Sequence, residues 1–218
     1  MTDEQVKKRV VDQLFWDDRI DASRIEVYVS GGRVRLEGDV PSMRVRRVAE
    51  EDAMTTIGVR SLANHLAVKP DKDWIPPSDD ELRARVINQL AWDPDLDPTT
   101  IDVEVKNGHV ALSGTVPRYW LVGRAGRLAA DLGGVLGVEN LLAVAPPDRS
   151  RDQRIAQDIV SSLDRRSNVD ADSVLVTVEE GMVTLTGRVP DWYALRSAQQ
   201  AAELSRGVAH VDNRLELG

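Results

Sequence analysis

The chain has 218 residues, 28 basic and 36 acidic side chains, a net charge of −8 and no cysteine. Disulfide frameworks and thiol chemistry are therefore excluded, and the acidic balance argues against general nucleic-acid binding, where basic patches supply the affinity. No apolar run approaches the length of a bilayer span. The start, Met1-Thr-Asp-Glu-Gln-Val-Lys-Lys-Arg, lacks the apolar stretch and small-residue cleavage site of a secretory leader. It reads as a soluble, cytoplasmic protein, or a periplasmic one if a leader was removed.

The first predicted element is a helix, with an apolar stripe of Val6, Val10, Val11 and Leu14. Two alternating strands follow, joined at Gly31-Gly32, with Gly38 breaking the second strand. A glycine there points to a bulge or a close backbone approach. Val40-Pro41 ends the strand and starts a second helix, with Ala49 and Ala53 on one face. A last strand ends at Val68.

The same order then recurs twice. The offset is 76 residues to the second copy and 73 from the second to the third. Its helix stripes are Leu82, Val86, Ile87 and Leu90, with Asp79 or Asp80 as N-cap, and Ile155, Ile159, Val160 and Leu163. The second-copy strands alternate as Ile101, Val103, Val105 and then Val110, Leu112, Val116, so one sheet face is covered. Their hairpin turns are Asn107-Gly108 and Glu180-Gly181. The strand glycines are Gly114 and Gly187, and the small helix positions are Ala125, Ala129, Ala198 and Ala202. The last strands end at Val144 and Leu217. The spacing predicts an α+β chain of three tandem αββαβ domains, 1–69, 78–145 and 150–218. Each has a three-stranded mixed sheet, its last strand rejoining through a right-handed crossover, with two helices on one face. Pro-Pro pairs stiffen the linkers at about 69–79 and 145–151.

The motif carrying this repeat is Gly32-Arg-Val-Arg-Leu-Glu-Gly-Asp-Val-Pro41, Gly108-His-Val-Ala-Leu-Ser-Gly-Thr-Val-Pro117 and Gly181-Met-Val-Thr-Leu-Thr-Gly-Arg-Val-Pro190. A second motif runs Gly134-Val135…Val138-Glu139-Asn140 and Gly207-Val208…Val211-Asp212-Asn213, with Gly58 to Asn64 in the first copy, where Leu62 replaces the second Val. These residues resemble the BON domain family, a bacterial module of osmotically induced and nodulation proteins. The resemblance implies the αββαβ fold and a non-enzymatic binding role in osmotic or envelope stress, with phospholipid or protein as partner. It carries no catalytic motif. A KH-like nucleic-acid module is the alternative; its basic G-x-x-G loop between two helices is missing from this sequence.

Other constellations have plainer readings. Asp93-Pro-Asp95-Leu-Asp97 with Glu104 has the acids of a calcium loop but Pro98 where a glycine turn is needed, and reads as a solvated helix-to-strand turn. His65, His109 and His210 fall at non-equivalent positions, and no triad is implied for His109 and Ser113. Gly133-Gly134-Val-Leu-Gly137 ends a helix rather than cradling a phosphate. Neither cofactor nor metal is expected.

Two binding candidates remain. Arg44, Arg46 and Arg47, with Arg33 and Arg35 nearby, form the one basic cluster. It lies in residues 1–69, which carry 12 basic and 12 acidic groups against a net −5 for 70–145 and −3 for 146–218. It is a candidate for an anionic ligand or lipid headgroup, unless Glu50, Glu51 and Asp52 neutralise it. Tyr119-Trp120 and Trp192-Tyr193 open the second helices of copies two and three and are candidate partner contacts, against packing of one of each pair inside its own copy. Trp16 and Trp92, ending the first helices, are expected to rest one side on the hairpin.

Overall fold

The computed structural model describes residues 1–71, 73–144 and 152–218. It contains two compact units. One comprises Met1–Gln89, Val103–Ala111 and Arg127–Glu139, the other Leu90–Asp102, Leu112–Gly126 and Asn140–Gly218. The division runs through the second sequence repeat, leaving the first whole in one unit and the third whole in the other.

In the first repeat, α1 (Asp3–Trp16) leads through a 3-10 turn at Ala22–Arg24 to β1 (Ile25–Ser30), β2 (Arg33–Val40), α2 (Met43–Thr55) and β3 (Ser61–Val68). Strand β1 runs antiparallel to β2 in unbroken register from Ile25↔Gly38 to Ser30↔Arg33, and β3 runs parallel to β2. The sheet is thus mixed, with β2 in its centre. The second repeat has α3 (Asp79–Ala91), β4 (Ile101–Lys106), β5 (His109–Val116), α4 (Tyr119–Ala130), β6 (Gly137–Asn140) and β7 (Ala143–Val144). Its last strand is interrupted at Leu141 and Leu142, and β7 resumes pairing with β5. The third has α5 (Asp152–Asp164), β8 (Val174–Glu179), β9 (Met182–Val189), α6 (Trp192–Glu203) and β10 (His210–Leu217), with order β10-β9-β8. Three αββαβ repeats are therefore present, as the periodicity predicts. The second predicted linker, 145–151, lies outside the described residues.

Each core is built from the same positions. The first-helix stripe is narrower than predicted. Val6, Val10 and Leu14, Leu82, Val86 and Leu90, and Ile155, Ile159 and Leu163 are buried. Val11 and Val160, the fourth residues of their stripes, are 41% and 38% exposed. A three-residue stripe at i, i+4, i+8 serves this packing, α1 lying on β1 and α2, and α5 on β8 and α6. The alanine pairs of the second helices are all fully buried at 0% exposure, so that helix lies close on its sheet.

The N-cap of α3 is Ser78, not Asp79 or Asp80. The Ser78 hydroxyl accepts the N–H of Glu81, whose carboxylate accepts the N–H of Ser78. Thr2 and Gln5 make the same reciprocal pair on α1. Asp79 is thereby free for a different task.

Candidate functional site

The polar residues that recur in all three repeats hold the fold. Asp3, Asp79 and Asp152 each receive two backbone N–H groups from the hairpin turn 28 and 29 residues later. The donors are Gly31 and Gly32 (2.8 and 3.1 Å), Asn107 and Gly108 (2.7 and 2.9 Å), and Glu180 and Gly181 (2.7 and 3.0 Å). The turns present these donors side by side because both central residues are left-handed, as in Asn107 (φ 51°) and Gly108 (φ 76°). The donated bonds favour the ionised carboxylate and hold Asp3 and Asp79 below the usual carboxylate range. Asn64, Asn140 and Asn213 each accept the N–H two residues on. Each also donates to the second helix, at Arg46 O, Val122 O and the Gln199 amide oxygen. The asparagine of the second motif is thus a strut between last strand and second helix.

The junction after the first helix is where the repeats diverge. Asp93 is not solvated: its side chain is 5% exposed and pairs with Arg124 at 2.6 Å. Arg124 in turn lies over the Trp120 ring at 5.9 Å. Asp97, like Asp21 and Asp170, caps a 3-10 turn. In the first repeat, Asp17 pairs with Arg19 and lies against Asp52. The Arg19 guanidinium holds the Asp17 carboxyl far down, while burial and the Asp17 charge push Asp52 up to about 6. The Asp52 Oδ2 atom is buried without a partner. In the third repeat, Arg166 bonds Gln200 and Asn168 bonds Ser197 at the corresponding place. No group of three or more histidine or acidic side chains among the described residues forms a metal cage.

The basic cluster is largely engaged. Arg46 donates to the Asn64 carbonyl at 3.1 Å, and Arg47 donates to Glu51 at 3.3 Å and Asp131 at 2.8 Å. Arg44 is exposed. Arg35 pairs with Glu37 and stands over the Tyr28 ring at 4.7 Å.

The aromatics divide. Tyr119 is half-buried against the core of the third repeat. Its ring meets His210 edge-on at 5.5 Å and its hydroxyl bonds the Val211 backbone, and burial pushes its phenol up. Trp120 and Trp192 are half-buried, each beneath an arginine of its own helix, Arg124 and Arg196. Tyr193 is 62% exposed. Trp16 and Trp92 do not rest on the hairpin: they are 80% and 86% exposed, and Phe15 beside Trp16 is 67% exposed. Each lies at the end of its helix, and the equivalent residue of the third repeat is Arg165. The offset alone aligned the two tryptophans; their exposure follows from the narrow stripe, which ends at Leu14 and Leu90.

A cleft of about 510 Å³ lies where the linker Pro70 to Pro77 passes the second hairpin, lined by Trp74, Pro77, Asn107, Gly134 and Leu136. A side chain at Gly134 would strike Pro77 at 2.7 Å. At the equivalent Gly58 and Gly207, Val6 with Met1 and Ile155 provide that cover. No helix among the described residues is long and apolar enough to cross a membrane.

Two solved structures are similar to the chain. One is CdsD, a structural protein of the type III secretion system of Chlamydia trachomatis, with 15% identity over 99% of this chain and 91% of that one, at a TM-score of 0.28. The other is the C-terminal domain of CdsD, with 13% identity over the whole of both chains at a TM-score of 0.27. Scores at that level carry no argument about fold or role. The BON domain model matches the sequence three times, over residues 2–70, 78–146 and 151–218. With nearly its whole length so matched, the chain belongs to the BON domain family, as three copies in tandem.

Proposed function

We propose that the chain is a non-enzymatic adaptor of osmotic or envelope stress that binds protein partners through surfaces differing from copy to copy. One observation carries this reading. The aspartates and asparagines common to all copies are tied to backbone or neighbouring side chains inside their own copy, whereas several large side chains not shared by all copies, Phe15, Trp16, Trp92 and Tyr193, stand in solvent. Triplicated chemistry would need reactive groups recurring around an open pocket. Binding needs exposed aromatic anchors on a rigid frame.

Trp16 and Trp92 are such anchors. Trp16 lies near the exposed Asp18, and Trp92 near the exposed Asp95, while Asp17 and Asp93 are engaged by Arg19 and Arg124. An indole face beside carboxylates suits a lysine- or arginine-bearing protein surface, through cation–π and ionic contact together. The same carboxylates repel an anionic membrane. Anionic phospholipid is the second reading, favoured by the net zero charge of residues 1–69 and the exposed Arg44.

A photo-crosslinking residue placed at position 16 or 92 of the full chain, with anionic liposome pelleting run in parallel, tests both. The adaptor reading requires a discrete protein adduct that added salt weakens, and no pelleting. Pelleting abolished by R44S/R46S/R47S, without an adduct, would transfer the role to lipid binding at the first copy.

A further inference from the structure

Two contacts join neighbouring copies through the same face of the second helix. In one unit, Arg47 on α2 reaches Asp131, just past the end of α4. In the other, Tyr119 at the start of α4 seats on His210 and Val211, where the edge strand β10 begins. Met43 and Arg47 of the first copy correspond to Tyr119 and Gly123 of the second and to Trp192 and Arg196 of the third. The two contacts are therefore neighbouring parts of one face, one helical turn apart. That face meets the end of the second helix and the start of the last strand in the following copy.

The third copy carries both interface positions as large side chains, Trp192 and Arg196. Trp192 is half-buried under Arg196 at 5.8 Å, and Tyr193 beside it is 62% exposed. The corresponding receiving edge of the first copy holds Ser61 and Leu62 where the third copy holds His210 and Val211. Ile57, four residues before that edge strand, is 69% exposed, where the other copies have Gly133 and Arg206. The third copy thus presents an aromatic donor face with Tyr193 in solvent, and the first copy a receiving edge with Ile57 in solvent.

We infer that the occupant of each is a second copy of this chain: α6 of one molecule, through Trp192 and Arg196, docks on the start of β3 of the next, beside Ile57. The reasoning is continuity with the contact that Tyr119 already makes within the chain. Such an interface joins unlike surfaces, so it propagates head to tail rather than closing as a two-fold pair. It also covers the exposed edge of β3. The inference does not depend on which external partner the protein binds.

Sedimentation velocity of the full chain across a wide concentration range tests it. The expected result is reversible association without a fixed end state. W192S and I57S should each weaken it by at least about tenfold, the usual effect of removing a central anchor. R196E, at an exposed position, provides a variant of that face without a packing role in the core, and circular dichroism checks that all three remain folded. Mixing W192S with I57S is decisive. Each retains one working end, so the pair should form a 1:1 heterodimer and nothing larger. A chain monomeric at every concentration overturns the inference. So does association untouched by all three variants, or a dimer of W192S alone as strong as that of the unaltered chain.

Discussion

Gly38, Gly114 and Gly187 show how one missing side chain sets a local fold. They have φ of 123°, 112° and 131°, and a Cβ would lie 2.0–2.2 Å from the carbonyl oxygen of Arg24, Thr100 or Ser173. The β1 ladder ends at Ile25↔Gly38, and the register of β3 on β2 passes through Gly38↔Leu66 without interruption. Of the two readings open from sequence, bulge or close approach, the close approach is the one the chain adopts. Gly114→Ala should therefore destabilise the second copy by at least about 2 kcal/mol, since neither backbone nor rotamer can relieve the clash. Chemical denaturation of the full chain, followed by circular dichroism, measures it; a denaturation curve unchanged by the substitution would refute the contact. Asp52 gives the opposite case, a residue that works against its surroundings. Its carboxyl is pushed up from 3.8 to about 6 by burial and by Asp17. The folded state then holds a proton that the unfolded chain releases, so stability falls as pH rises from 3.8 through 6 and the loss is complete above that. Asp52→Asn should raise the stability of the first copy at pH 7 by roughly 1 kcal/mol and change it little at pH 4. Thermal melts at the two pH values check both halves of that statement.

At the scale of elements, the second helix is the one whose seat is most restricted. Ala125 and Ala129 are both fully buried, and Asn140 ties α4 to the last strand through the Val122 carbonyl at 2.7 Å. Ala125→Leu should cost about 1–3 kcal/mol, because a close-packed helix has no room for three more carbons; an unchanged melting temperature of the second copy would show the helix to ride further from the sheet. That closeness was legible beforehand, because alanine recurs at two positions four apart in every copy. So were the hairpins, from Asn107-Gly108 and its counterparts. The strut made by Asn64, Asn140 and Asn213 was visible as a recurring letter but not as a role, because most of its partners are backbone atoms that any residue could supply. Asp79 misled for a related reason: an aspartate at a helix start reads as a cap, and its true acceptor role toward Asn107 and Gly108 depends on a contact 28 residues away. The candidate surfaces were less legible still. Sequence grouped Arg44, Arg46 and Arg47 by proximity, whereas helical geometry sends Arg46 to the Asn64 carbonyl and Arg47 to Glu51 and Asp131. It also assigned Trp16 and Trp92 to the hairpin, since nothing local reports where a buried stripe stops.

For the whole molecule, the question is how far each copy stands alone. We propose 1–69, 78–145 and 150–218 as the folding units, yet the second depends on groups outside its bounds. Pro77 and Trp74 lie within 2.7 and 3.4 Å of where a side chain on Gly134 would be. They cover a place that the first and third copies cover with residues of their own first helices, Val6 and Ile155, helped in the first by Met1. Repeat arrays draw stability from each unit and from the contacts with its neighbours. A fragment cut at 78 keeps the helices and sheet of the second copy but leaves the Gly134 turn open to water. A fragment beginning at Pro70 restores Trp74, Pro76 and Pro77 to it. The longer fragment should unfold at a higher denaturant midpoint, by roughly 1–2 kcal/mol for the apolar surface returned to cover. Trp74→Gly in the longer fragment should remove most of that gain. Equal midpoints for the two fragments would mean that the linker only tethers the copies. A higher midpoint that survives Trp74→Gly would place the effect in the prolines, through restriction of the unfolded chain rather than through contact with the turn.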